Sequence, residues 1–254
     1  MTQRILVVDD EESIRFTFDA FLTDAGYRVD TAPSLGEALA LAGETSFDAV
    51  FLDILLGRES GMEMLRFVRE RNPNCPVIMV TGAPEIATAT EAVRLGAFDY
   101  VTKPVHQEML LRIVRRALEH KALLDEQETF RLRMAAIFRS IQEGVLVFDD
   151  RFRLVDINDS ARRMLACDRE VVGKTLEELA AEDECSTARH FHDIVTQRCL
   201  GEIFRMQMVN AAGEPLLVSL TMAPLTSQAG GDNGVVLVLR DEGQPTRALE
   251  TAPG

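Results

Sequence analysis

Five polar side chains in the first 110 residues stand at the ends of short apolar runs. Asp9 and Asp10 follow "ILVV", Asp53 closes "AVFLD", Thr81 closes "VIMVT" and Lys103 follows "FDYVT". A buried carboxylate without a partner is costly, so such an acid belongs where the chain leaves a core, beside something that favours negative charge. Three neighbouring carboxylates repel unless a cation joins them, and hard oxygen ligands with room for water favour Mg2+. A carboxylate held against Mg2+ and a lysine is also a candidate nucleophile, because metal and amine screen an incoming phosphoryl group during in-line attack. The threonine hydroxyl can then bond the new phosphate oxygens. Any one of these residues alone is better read as a capped or solvated strand end. Five at four matching ends call for a site.

The elements that must position them are legible in the punctuation. "RILVVDD", "YRVDTA", "DAVFLD", "CPVIMVTG" and "FDYVTKP" are each followed by an amphipathic segment. That alternation predicts an α/β doubly wound domain with a five-stranded parallel sheet, whose ligand site lies outside the carboxyl ends of the strands. Ser34 with Glu37 reads as a capping box, Gly26 and Gly96 as helix stops, and Pro84 as a helix opener.

From Gln107 to Ile141 there is neither Gly nor Pro, which predicts one long helix. Leu110, Val114, Ala117, Leu124, Met134 and Phe138 suggest a seam, interrupted by Lys121, Glu128 and Arg131 at the same spacing. Either a weak coiled coil or an amphipathic helix lying on its own domain fits. Beyond it "GVLVFDD", "FRLVDIN", "EIFRMQMVN", "EPLLVSLTM" and "GVVLVLRDE" read as five antiparallel strands, with "NAAGE" a hairpin turn. Only helical or irregular segments separate the second and third, so an α+β domain with a five-stranded antiparallel sheet follows. The expected organisation is a first domain over 1–122, a linker helix over 107–141 shared by both domains, a second domain over 130–245 and a frayed tail over 246–254.

The 254 residues suit two domains, and 27 Lys plus Arg against 41 Asp plus Glu give a net charge of −14. Such a charge disfavours direct binding to DNA, whose phosphates are met by cationic side chains. Acids follow the first apolar run directly and no stretch of about 18 apolar residues occurs, so a cytoplasmic protein without membrane contact is expected. Cys75, Cys167, Cys185 and Cys199 form no C-x-x-C pair; neither a zinc ribbon nor a redox dithiol is signalled, and reduced thiols are the default.

Together, "ILVVDDE", "VFLDILLGRESGMEML", "VIMVTG" and "GAFDYVTKP" resemble the receiver domain of two-component response regulators over about residues 3–122. The resemblance implies that Asp53 accepts a phosphoryl group with Mg2+ as cofactor. It makes Asp10 a direct metal ligand, Asp9 a ligand through water, and Leu55 a ligand through its backbone carbonyl. Thr81 would be the switch hydroxyl, Lys103 the phosphate contact, Tyr100 the aromatic that reports the state, and the bond to Pro104 cis. Gly57 stands where such receivers often carry Pro. Leu55 and Ala83 are apolar at the two positions that commonly tune hydrolysis in the family.

Residues 130–245 resemble a PAS domain through "IFRSIQEGVLVFDDRFRLVDINDSARRML", "VVGKTLEEL" and "GVVLVLRDE". No flavin-type cysteine motif is present, and no PAS cofactor is expected. His190 and His192 are the candidates for a haem or metal, but residues two apart on a helix point to nearly opposite faces. His120 lacks the motif of a phosphoacceptor histidine. The resemblances imply a response regulator phosphorylated by a sensor histidine kinase or phosphotransfer protein, acting as a switch rather than a turnover enzyme. The linker would pass its state to the PAS domain and a downstream protein partner, in a homodimer, and the chain ends before any ATPase core or helix-turn-helix would begin. Two alternatives are a PAS ligand sensor with the receiver as dimerisation scaffold, and a Mg2+-dependent aspartyl-phosphate phosphohydrolase. The second is disfavoured by Leu55, where haloacid-dehalogenase relatives carry a second Asp.

Overall fold

A computed structural model describes residues 2–165, 171–181, 203–209, 215–226 and 232–243, and divides the chain into two units, Met1–Phe130 and Arg131–Gly254. In the first unit the elements run β1 (Arg4–Val8), α1 (Glu12–Asp24), β2 (Arg28–Ala32), α2 (Leu35–Glu44), β3 (Ala49–Asp53), a small hairpin β4 (Leu55–Leu56) and β5 (Glu59–Ser60), α3 (Met62–Arg71), β6 (Val77–Thr81), α4 (Ile86–Arg94), β7 (Asp99–Thr102) and α5 (Gln107–Ser140). The five expected strands pair in parallel in the order β2-β1-β3-β6-β7.

Every residue of β3 and β6 is buried, as helices covering both faces of a parallel sheet require. Alternation by one residue sends Leu6, Val8, Val50, Leu52 and Met79 into a core with α2 and α3. It sends Ile5, Val7, Phe51, Ile78 and Val80 to the other face, against Phe18 and Leu22 of α1 and Leu110, Val114 and Ala117 of α5. Phe18 meets Phe51 edge-on at 5.5 Å. Gly26 and Gly96 follow the ends of α1 and α4 with φ of 91° and 84°. Ser34 Oγ accepts from the Glu37 N–H at 3.4 Å, which is one limb of the expected box; the Glu37 carboxylate lies 3.4 Å from that same hydroxyl. α4 starts at Ile86, two residues after Pro84.

Helix α5 is a single element whose two halves behave differently. Leu110, Val114 and Ala117 are fully buried in the first unit's core, so the proximal half is an amphipathic helix on its own domain. Lys121 then contacts Asp125 and, at 3.5 Å, Asp48, while Asn74 Nδ2 donates to Asp125 Oδ1 at 3.0 Å. Past that point Leu123, Phe130, Leu132, Met134 and Ile137 are exposed.

The second unit contains β8 (Gly144–Phe148), β9 (Leu154–Ile157), α6 (Asp159–Leu165), α7 (Leu176–Ala181), β10 (Ile203–Val209), β11 (Pro215–Thr226) and β12 (Asp232–Asp241). Its strands form one antiparallel sheet in the order β10-β11-β12-β8-β9. Leu146, Phe148, Val218, Leu220, Met222, Leu237 and Leu239 face inward onto Ala161, Leu165 and Leu176 of the two helices. Asn158, 1% exposed, joins the parts: Oδ1 accepts from the Val145 and Ala161 N–H groups, and Nδ2 donates to the carbonyls of Phe138 and Glu143. "NAAGE", His190, His192, Cys167, Cys185, Cys199 and the tail lie outside the described residues. Among the described residues, no helix is long and apolar enough to cross a membrane.

Candidate functional site

The carboxyl ends of β1, β3, β6 and β7 bring the chemistry-bearing side chains together. Carboxylate oxygens of Asp9, Asp10 and Asp53 all lie within 4.8 Å of one another. Asp9 and Asp53 are buried and Asp10 is exposed. Lys103, just past β7, reaches back across the sheet end. Its Nζ donates to Asp53 Oδ2 at 2.6 Å and pairs with Asp9 Oδ2 at 2.8 Å and Glu11 Oε1 at 3.0 Å, using all three ammonium protons. The peptide joining Lys103 to Pro104 is cis.

Burial is the largest influence on both members of this pair. It raises the Asp9 carboxyl above the usual carboxylate range, against hydrogen bonds from Lys103 and the Glu11 N–H and with the Asp53 charge adding to the rise. Burial works against the Lys103 ammonium too, but hydrogen bonds to Asp53, Asp9 and Glu11 outweigh it and hold the amine well above its ordinary value. The lysine is therefore a permanent cation here.

Asp53 Oδ1 accepts from the Leu55 N–H at 3.1 Å, which turns the chain into the β4–β5 hairpin. Thr81 is buried, and its Oγ1 accepts from the Ala83 N–H at 3.1 Å. Tyr100 is half-buried, with its hydroxyl 3.4 Å from Thr88 Oγ1 on α4. Gly57 has a φ of 64°, and its N–H donates to Asp10 Oδ2 at 3.1 Å, a bond that a proline could not make.

Four residues that build the site escaped the sequence reading. Glu11 holds Lys103; its signal was only one more acid in "DDEES". Arg15 Nη1 donates to the backbone carbonyls of Asp9 and Asp10 at 2.7 and 2.9 Å, fixing the loop that carries both acids. Thr88 faces Tyr100. Gly61 is dictated by space, since a Cβ there would fall 2.1 Å from the Asp53 carbonyl oxygen.

Three hard-oxygen acids within 4.8 Å and a single nearby amine are a donor set that fits Mg2+. A doubly wound parallel sheet with acids at its carboxyl edge defines a flavodoxin-like class whose site lies where the strand order reverses, between β1 and β3. Residues 5–115 match the response regulator receiver domain and residues 142–244 a PAS domain. The chain thus carries a response regulator receiver domain followed by a PAS domain.

A putative NtrX-like response regulator of Rickettsia felis is 40% identical over 117 residues, 45% of this chain and 25% of that protein. The alginate biosynthesis transcriptional regulatory protein AlgB of Pseudomonas aeruginosa is 40% identical over 120 residues, 47% of this chain and 27% of that protein. A CheY-like receiver domain protein from Methanospirillum hungatei is 31% identical, covers 48% of this chain and 98% of its own, and superposes with a TM-score of 0.47. The chain thus spans about a quarter of the length of the curated relatives it matches.

Proposed function

We propose that the first unit is a phosphoryl-accepting switch of a two-component system, with Asp53 as acceptor and a sensor histidine kinase or phosphotransfer protein as donor. The observation that carries this reading is the convergence of Asp9, Asp10 and Asp53 within 4.8 Å around a lysine 2.6 Å from Asp53. A carboxylate oxygen of Asp53 attacks the phosphorus of a phosphoimidazole, a P–O bond forms, the P–N bond breaks, and the electron pair leaves on the imidazole nitrogen. Lys103 stays charged beside the new acyl phosphate, and the Thr81 hydroxyl is the group to bond its oxygens once released from the Ala83 N–H. Asp10, Asp53, the Leu55 carbonyl and, through water, Asp9 would hold Mg2+, which would supply charge screening of the transferring group. Tyr100 must give up its contact with Thr88 to move, so the Thr88–Tyr100 pair is the element the switch works against.

Intact-mass analysis after a small phosphodonor with Mg2+ tests the reading. One phosphoryl group should add to the wild type and none to Asp53→Asn or to metal-stripped protein; undiminished labelling of the Asn variant sinks the assignment. Asp10→Ala should weaken Mg2+ binding more than Asp9→Ala, because both Asp9 oxygens are already engaged, by Lys103 and by the Glu11 N–H. The acyl phosphate should be long-lived, since Leu55 and Ala83 offer no side-chain group to orient an attacking water. Leu55→Asn should hasten its decay.

A further inference from the structure

A two-residue turn ties the acid after β1 to the loop after β3. β4 and β5 pair Leu55 with Ser60 and Leu56 with Glu59, which leaves Gly57 and Arg58 as the whole of the hairpin loop. Gly57 has a φ of 64° and Arg58 stays out of that region, the pattern of a hairpin turn whose first central residue is left-handed. Glycine adopts that conformation without strain, and there its N–H leaves the hairpin and reaches across 47 positions of sequence to Asp10 Oδ2 at 3.1 Å. Two residues earlier the Leu55 N–H donates to Asp53 Oδ1, also at 3.1 Å. The hairpin from Leu55 to Ser60 thus holds one carboxylate oxygen from each side of the pocket.

The two acids differ in what restrains them. Asp53 is buried and also gripped by Lys103, whereas Asp10 is exposed, and among the described residues the Gly57 N–H is the one donor that reaches its carboxylate. An exposed carboxylate that rotates freely must be ordered when it takes up a cation, and that ordering subtracts from affinity. With Oδ2 tied to the hairpin, Asp10 keeps its carboxylate within 4.8 Å of those of Asp9 and Asp53 before any ion arrives, and Oδ1 is left for a metal that takes one oxygen from each acid. We infer that Gly57 is a positioning residue for Mg2+, fixing Asp10 in ligating position through its N–H, a role that rests on the acidic pocket being the metal site. The position makes two demands, a backbone proton and a left-handed φ. Proline fails both, because its ring sets φ near about −65° and its nitrogen carries no proton. Asparagine keeps the proton and visits the left-handed region.

Melting of the full chain across a Mg2+ series measures affinity without any phosphoryl transfer, because a ligand of the folded state raises the midpoint with its concentration. Replacing the Leu56–Gly57 amide by an ester deletes the proton and keeps the turn, and should raise the Mg2+ dissociation constant about fivefold. Gly57→Pro should raise it at least as far, whereas Gly57→Asn should stay within about twofold of wild type. Hydrogen exchange reads the bond itself in metal-free protein: the Gly57 amide should exchange about tenfold faster in Asp10→Ala than in wild type. An ester protein that binds Mg2+ like wild type, a Gly57→Asn protein that loses as much affinity as Gly57→Pro, or an exchange rate untouched by Asp10→Ala would overturn the role of Gly57 and leave the metal site standing. A wild type whose midpoint ignores Mg2+ would overturn the role and the metal site together.

Discussion

Lys103 and Lys121 both sit among carboxylates, at opposite ends of the same parallel sheet, and the two clusters behave in opposite ways. At the carboxyl end the Lys103 side chain is 10% exposed and its partners Asp9 and Asp53 3% and 7%. At the amino end Lys121 is 16% exposed, but Asp48 and Asp125 are 34% and 44%. Burial decides the outcome: Asp9 is pushed above the ordinary carboxylate range and Asp125 is held below it. One cluster has more buried negative charge than its amine neutralises and is receptive to a further cation. The other is a solvated fastening of α5 to the sheet. The same residue types thus make a site where water is excluded and a clasp where it is not.

The sharpest way to break that comparison is to remove each amine. Lys103→Met leaves Asp9 and Asp53 buried together without their cation and should cost about 3 kcal/mol, read from the urea midpoint. Mg2+ should restore part of the loss, because a ligand of the folded state stabilises it. Lys121→Met should cost no more than about 1 kcal/mol and show no Mg2+ rescue. Equal losses at the two lysines would erase the distinction.

A smaller contrast uses glycine. Gly61→Ala sets a Cβ against the Asp53 carbonyl oxygen, at 2.1 Å before relaxation, and should cost about 2 kcal/mol while slowing phosphoryl acceptance. At the amino end, Gly43 in α2 has nothing within 4 Å of the corresponding position. Gly43→Ala should stabilise by up to about 1 kcal/mol, through helix propensity alone. Thermal melts of both variants would show whether only the site end is sterically closed.

What could be read beforehand follows the same division. Four strands of the parallel sheet announced themselves as short, largely apolar runs closed by a polar residue, and Asp9, Asp10, Asp53, Thr81 and Lys103 sit at those closures; β2, with Arg28, Asp30 and Thr31, was legible only from the alternation of strands with helices. The antiparallel strands were legible from two-residue alternation. Arg15 and Gly61 were not, because one acts on backbone carbonyls and the other through absent volume, and neither leaves a pattern at fixed spacing. Both readings of α5 fit the sequence for a physical reason: apolar residues recur at helical spacing on more than one face, and only the sheet beneath shows that Leu110, Val114 and Ala117 are the ones spent on the first unit's core. Reciprocal capping was sought at Ser34 and Glu37, yet it forms at Thr175 and Glu178, where the Thr175 N–H donates to Glu178 Oε2 at 2.8 Å and the Glu178 N–H to Thr175 Oγ1 at 3.2 Å.

The smallest effect concerns acid. Burial works to raise the Asp125 carboxyl, but hydrogen bonds from Lys121 and Asn74 and the Lys121 charge outweigh it, so its folded-state pKa lies below the unfolded value of about 3.9. A group of this sign binds its proton more readily when unfolded. Its stabilisation is therefore present above the unfolded pKa and is lost as pH falls through the folded one. With 44% of the side chain exposed, the contribution is about 0.5 kcal/mol. Asp125→Asn should lower the urea midpoint slightly at pH 7, and the gap from wild type should close as the pH falls through and below the unfolded carboxylate value. Asp9, raised in the folded state, has the opposite sign: its share of stability declines as pH rises through the window above its unfolded value. A gap at Asp125 that widened in acid would place that carboxyl in the same class as Asp9, and the amino-end cluster would then be a second buried charge site.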